Sequence, residues 1–112
     1  MDGKLGNTVI VDITNAPNHE SVLFSLDVTV DSTIYNCVID NINHAITLSV
    51  PTGTNLLGVS IDYIISENAI LRYGGGDIFD PDNMSIYLED DFSVLAENGV
   101  DYTDYTYNIV YY

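Results

Sequence analysis

Basic side chains are nearly missing from this sequence. Lys4 and Arg72 are the only two, against 17 acidic residues, giving a formal charge of −15 over 112 residues. A nucleic-acid binder needs Lys and Arg to displace counterions from phosphates, so DNA and RNA repel this chain. An anionic membrane surface repels it for the same reason. Cysteine occurs once, as Cys37, which excludes an internal disulfide and a cysteine-based zinc cluster. No apolar run approaches the roughly 20 residues of a membrane-spanning helix. Met1-Asp2-Gly3-Lys4 leads into no long apolar stretch and no small-residue cleavage site. The sequence therefore predicts neither a secretion leader nor a lipidated cysteine near the start. Apolar residues at helical spacing over three turns are also lacking, and at most one helical turn is expected near residues 55–57.

The apolar residues that are present, 46% of the chain, follow a period of two. At this length they suffice for one domain with a real core and argue against disorder despite the charge. Val22, Phe24, Leu26, Val28 and Val30 form one alternating row, and Ile46, Leu48 and Val50 a second. Val59, Ile61, Tyr63 and Ile65 form a third, Phe92, Val94 and Ala96 a fourth, and Tyr105, Tyr107, Ile109 and Tyr111 a fifth. Each reads as a strand with one buried face. β-branched runs at residues 8–13 and 34–39 add two more. Turn chemistry separates them: Asn15-Ala16-Pro17-Asn18, Asp40-Asn41-Ile42-Asn43, Pro51-Thr52-Gly53-Thr54, Gly74-Gly75-Gly76, Asp80-Pro81-Asp82-Asn83 and Asn98-Gly99. Seven or eight short antiparallel strands at this spacing predict an all-β sandwich of immunoglobulin-like type. Residues 1–20 are expected to form an N-terminal strand or arm, and residues 21–112 the sandwich domain.

Candidate chemistry is sparse. The densest polar cluster holds Asp77, Asp80, Asp82 and Asn83, followed by Glu89, Asp90 and Asp91. Calcium takes six to eight oxygen ligands, so Asp77, Asp80 and Asp82 are calcium candidates, although the spacing is not that of an EF-hand. The plain alternative is a solvated acidic loop. His19 and His44 lie in a connector and a turn, outside any ligand motif, and read as exposed turn residues. A Cys37–His pair is conceivable as a nucleophile, but Cys37 lies in a strand run, where Cys acts as a small hydrophobe. No Gly-x-Ser-x-Gly elbow occurs. Gly74-Gly75-Gly76 has no following Lys or helix and reads as a turn, not a phosphate cradle. Acid pairs are too common here to signal glycoside hydrolysis, which also needs a cleft. No catalytic residue and no cofactor is assigned. Five of the nine tyrosines, Tyr102, Tyr105, Tyr107, Tyr111 and Tyr112, crowd the last eleven residues. Tyr105, Tyr107, Tyr111 and Tyr112 are interface candidates, since Tyr is enriched at protein contacts, with core packing as the competing reading. The last strand is also an edge on which a partner chain can pair.

Several pieces, taken in order, resemble a known family. They are Val22-Leu23-Phe24-Ser25-Leu26, the hairpin from Cys37 through Asp40-Asn41-Ile42-Asn43 to Pro51, and Thr52-Gly53-Thr54-Asn55-Leu56. Ile65-Ser66-Glu67-Asn68-Ala69 follows, then Phe92-Ser93-Val94-Leu95-Ala96-Glu97-Asn98-Gly99 and Tyr105-Thr106-Tyr107-Asn108-Ile109. Together they are similar to the immunoglobulin-like, cadherin-like β-sandwich modules of Bacteroidetes surface proteins. The resemblance implies no common catalytic residues. In a short chain it also points to tailed phages, whose capsids and tails often carry immunoglobulin-like domains, and among them to the crAss-like phages of Bacteroidetes as borrowers of this host module. It implies a non-enzymatic auxiliary or decoration protein docked on the capsid exterior. The partners would then be the major capsid protein or other virion proteins, within a large assembly. The alternative is an adhesion or glycan-binding module at a bacterial cell surface. The family's Lys–Asn crosslinks are not expected, since Lys4, the only lysine, lies outside the matched pieces.

Overall fold

The computed structural model describes residues 17–78 and 80–112. The described residues are all-β, forming nine strands in two sheets with no helix among them. Strand β1 (Leu23–Val30) lies between β2 (Thr33–Asn36) and β5 (Ser60–Ile65) in a three-stranded antiparallel sheet. The second sheet runs in the order β3 (Val38–Asp40), β4 (Ala45–Val50), β9 (Tyr102–Tyr111), β8 (Phe92–Leu95), β6 (Ile70–Tyr73) and β7 (Gly76–Asp77). The sandwich expectation holds. The β-branched run at residues 8–13 lies outside the described residues.

Three details differ from the period-two reading. The first is the inner face of β1. Leu23 is fully buried and Phe24 is 57% exposed, because the β1–β5 register shifts between Leu23 and Ser25. A bulge of this kind reverses the side-chain alternation upstream of it. The second is direction: β4 and β9 pair in parallel, from Ala45 opposite Thr106 to Val50 opposite Tyr111. The sandwich is therefore not wholly antiparallel. The two strands are far apart in sequence and are joined through both sheets, which is the long crossover that a parallel pair requires. The third is the run at residues 34–39, which is two strands rather than one. It pairs with β1 as β2 and then with β4 as β3, changing sheets at Cys37, whose N–H donates to the Leu26 carbonyl at 3.0 Å.

The expected turns close the hairpins. Asp40 Oδ1 accepts the N–H groups of Ile42 and Asn43 between β3 and β4, an Asx turn of the kind Asp favours. Asn98 Oδ1 accepts from Val100 and Asp101 between β8 and β9, and Gly99 sits there at φ 72°. The two-residue turn Asp31-Ser32, with both residues at positive φ, joins β1 to β2 and matches the twist of its strands.

The core lies between the sheets. Leu26, Val28 and Ile61 come from the three-stranded sheet, and Ile46, Leu48, Phe92, Val94, Tyr105 and Tyr107 from the other. Phe92 and Tyr107 pack edge to face at 5.2 Å between centroids, and Tyr73 packs on Phe92 at 4.7 Å, arrangements that aromatic quadrupoles favour. Tyr105 ties the sheets together. Its hydroxyl accepts the Leu23 N–H at 3.0 Å and donates to Asn41 Oδ1, while Asn41 Nδ2 donates to the Leu23 carbonyl. β2 pairs only with residues 27–30, and the Leu23 backbone groups find their partners here instead, as buried polar groups must.

Candidate functional site

The acidic residues of the β6–β8 region make local contacts. Asp77 accepts Arg72 Nε at 2.7 Å across the β6–β7 hairpin. Asp80 Oδ1 accepts the N–H of Asp82, and the Asp80 carbonyl accepts that of Asn83. Of the calcium candidates, the Asp77 and Asp80 carboxylates accept separate local hydrogen bonds, and Asp82 takes part through its backbone N–H. Among the described residues, no group of three or more His, Cys, Asp or Glu side chains stands close enough to hold an ion. An open groove of about 370 Å³ lies nearby, with Tyr73, Asp77, Asp80, Asn83 and Met84 in its walls. Tyr73 already donates its hydroxyl to the Leu88 carbonyl. Burial, helped by the charge of Asp90, pushes the Tyr73 phenol up to about 12. Gly74-Gly75-Gly76 makes the hairpin turn, with the Gly74 N–H bonded to Asp91 and Gly74 and Gly75 at positive φ.

The thiol and the imidazoles are equally separate. Burial, with Asp27 nearby, pushes the Cys37 thiol up to about 12, so it is protonated at neutral pH and a poor nucleophile. His44 stands edge-on to Tyr105 at 5.5 Å, and His19 is exposed in the connector. Among the described residues, no hydrogen bond joins Cys37 to either imidazole.

The tyrosine cluster divides in two. Tyr105 and Tyr107 are each 1% exposed and belong to the core. Their interface candidacy is corrected accordingly: the inner face of β9 turns both rings between the sheets. Tyr107 donates its hydroxyl to the Ile86 carbonyl at 3.0 Å, and burial holds its phenol far above the ordinary range. Tyr111 and Tyr112, 47% and 70% exposed, remain available to a partner.

Around these two residues the sheet is incomplete. Strand β8 pairs only with residues 102–105 of β9, and β4 covers residues 106–111 on the other side. The side of residues 107–111 that faces away from β4 carries no strand among the described residues. Thr106 and Tyr112 send their N–H groups to His44 and Val50 on the β4 side. By strand alternation the N–H groups of Tyr107, Ile109 and Tyr111 point the opposite way. One of the three is capped: Ile109 donates to Glu89 Oε2 at 2.7 Å. Glu89 comes from the β7–β8 connector, which the Tyr107–Ile86 bond also holds beside β9. Between those two anchors lie Tyr87 and Leu88, 51% and 53% exposed. Tyr87 and Leu88 were not singled out by sequence, and Glu89 was read only as a member of the acidic cluster. Their placement depends on where a long connector runs, and no local pattern encodes that.

The solved structures that share this fold include two from Bacteroides. One is described as a "putative glycoside hydrolase" from Bacteroides thetaiotaomicron, with a TM-score of 0.60 and 17% identity over 88% of this chain. The other is a DUF4623 family protein from Bacteroides eggerthii, with a TM-score of 0.57 and 19% identity over 82% of this chain. The match spans only 27% and 21% of those two chains, respectively. At this identity the likeness concerns the fold. No family model and no curated protein matches the sequence.

Proposed function

We propose that this chain is a non-enzymatic structural module that docks onto a larger assembly through the C-terminal end of its six-stranded sheet. The observation that carries the reading is the exposed group of Tyr87, Leu88, Tyr111 and Tyr112 beside an unfinished stretch of β9. Aromatic side chains supply contact area at protein interfaces, and open strand edges invite pairing. The chemistry-bearing side chains support the same reading. Asp77 and Asp80 each accept a local hydrogen bond, and the Cys37 thiol is protonated at neutral pH. The assembly we propose is the exterior of a tailed-phage capsid, with this immunoglobulin-like module as an auxiliary or decoration protein. The charge of −15 suits an outward, solvated position and disfavours contact with packaged DNA. Mass spectrometry of purified particles tests this: the chain is expected at a fixed stoichiometry to the major capsid protein, and its absence from particles overturns the virion setting.

A second setting draws on the comparisons. Both solved neighbours come from Bacteroides, and in each the matched region is about a quarter of a longer chain. That use of the fold supports an adhesion or glycan-binding module at a bacterial surface. The isolated chain on a glycan array separates the settings, with specific saturable binding expected only for the second.

A further inference from the structure

We propose that residues 107–111 of β9 accept one extended segment of a partner protein as an added strand, and that the segment alternates apolar residues with Lys or Arg. The inference rests on the docking reading above and specifies its geometry and its partner's chemistry. Three N–H groups, of Tyr107, Ile109 and Tyr111, face the open side, so an incoming strand finds donors at the ordinary two-residue spacing. Glu89 occupies the middle one through an exposed side chain. A carboxylate in that position blunts the edge in the free protein, as natural sheets commonly do. A carbonyl of the incoming strand replaces it, and the released carboxylate is left facing that strand.

The surroundings select the occupant. Tyr87, Leu88 and Tyr111 offer exposed apolar surface beside the edge, where alternate side chains of an added strand can pack. Glu89, Asp90 and Asp91 follow one another in the adjoining connector. A basic side chain on the incoming strand meets the released Glu89 and its acidic neighbours. A second copy of this chain, with 17 acids and two basic residues, is repelled instead. Charge complementarity therefore favours a basic partner over self-association.

The test uses the full chain and three synthetic nonapeptides. One alternates Val with Lys, one alternates Val with Glu, and one is the Lys peptide with its edge-facing amides N-methylated. The Lys peptide is expected to bind and to shift the amide resonances of Tyr107, Ile109 and Tyr111. The Glu peptide and the N-methylated peptide are expected to bind at least about tenfold more weakly, the equivalent of losing one good contact. Tyr111→Pro removes an edge-facing N–H but leaves the β4 bonds intact, and should weaken the Lys peptide by a similar factor while the far-ultraviolet spectrum stays unchanged. Failure of the Lys peptide to bind overturns the inference. So does equal binding of the N-methylated peptide, equal binding of the Glu peptide, or shifts confined to β2 or β5. None of these results bears on whether the chain is found in particles, so the inference and the virion reading can fail separately.

Discussion

Residues 102–105 of β9 lie against β8, and residues 106–111 of the same strand lie against β4. The sequence is continuous across this change, with tyrosine on the inner face at 105, 107 and 111. The outcome is not. Tyr105 and Tyr107 are enclosed by both sheets, whereas Tyr111 is about half exposed. The rings point the same way, but burial falls off at the last of them. One residue type in one pattern thus packs the core along most of the strand and stays available at its end. At Tyr107 the cover comes from Tyr73, Phe92 and the connector at Ile86.

The sharpest way to break this comparison is Tyr107→Ala. The ring is 1% exposed, packs edge-on to Phe92 and holds the connector through Ile86. Truncation should cost about 3–5 kcal/mol, read as a lower midpoint in urea denaturation. A loss under about 1 kcal/mol would mean that the ring is not a core element. It would also release the connector, so the environments of Tyr87 and Leu88 should change in the same variant.

Alkaline pH should act next. Folding raises the Cys37 thiol from 9.0 to about 12 and the Tyr73 phenol from 10.0 to about 12, and it raises Tyr107 further still, with burial the main cause in each. All three are neutral in both states at neutral pH, so their contribution is fully present below pH 9. Above that, the unfolded chain ionises first. Stability should fall as pH rises from about 9 toward 12. Denaturation followed at pH 7, 9, 10 and 11 checks the sign, and a flat profile contradicts the burial of these groups.

Tyr105→Phe keeps the ring and removes the hydroxyl that accepts the Leu23 N–H. A buried donor left without a partner costs about 1–3 kcal/mol. Hydrogen exchange at the Leu23 amide should accelerate in this variant, and unchanged protection would show that another group takes the bond.

Much of the architecture was legible before the structure. The alternating rows at Ile46, Leu48 and Val50 and at Tyr105 and Tyr107 identify strands whose buried faces the structure reproduces. Asp40-Asn41-Ile42-Asn43 and Asn98-Gly99 mark real turns because their side chains bond their own backbone. The features that escaped all depend on pairing between distant segments. Nothing local at Phe24 announces a bulge, since the row from Val22 to Val30 alternates without a break. The parallel β4–β9 pair and the change of sheet at Cys37 come from topology, which periodicity does not carry. The candidate site was read only in part for the same reason. Tyrosine crowding marked the right strand. The division of Tyr105 and Tyr107 from Tyr111 and Tyr112, and the cap by Glu89, required knowing what lies opposite each one.

The smallest effect expected belongs to the exposed end. Tyr111 is about half exposed and makes no side-chain hydrogen bond among the described residues. Tyr112 is 70% exposed, and it is its backbone carbonyl, not its ring, that accepts from Thr52. Replacing either ring with alanine should change stability by no more than about 0.5 kcal/mol, as for most surface positions away from special contacts. The contrast with Tyr107→Ala, two pleats earlier on the same face as Tyr111, is the measurement that matters. If Tyr111→Ala costs as much as Tyr107→Ala, the ring at the strand end is packed as the core rings are. If it costs little and yet weakens binding of a Val–Lys strand peptide, the ring is kept for contact and not for folding.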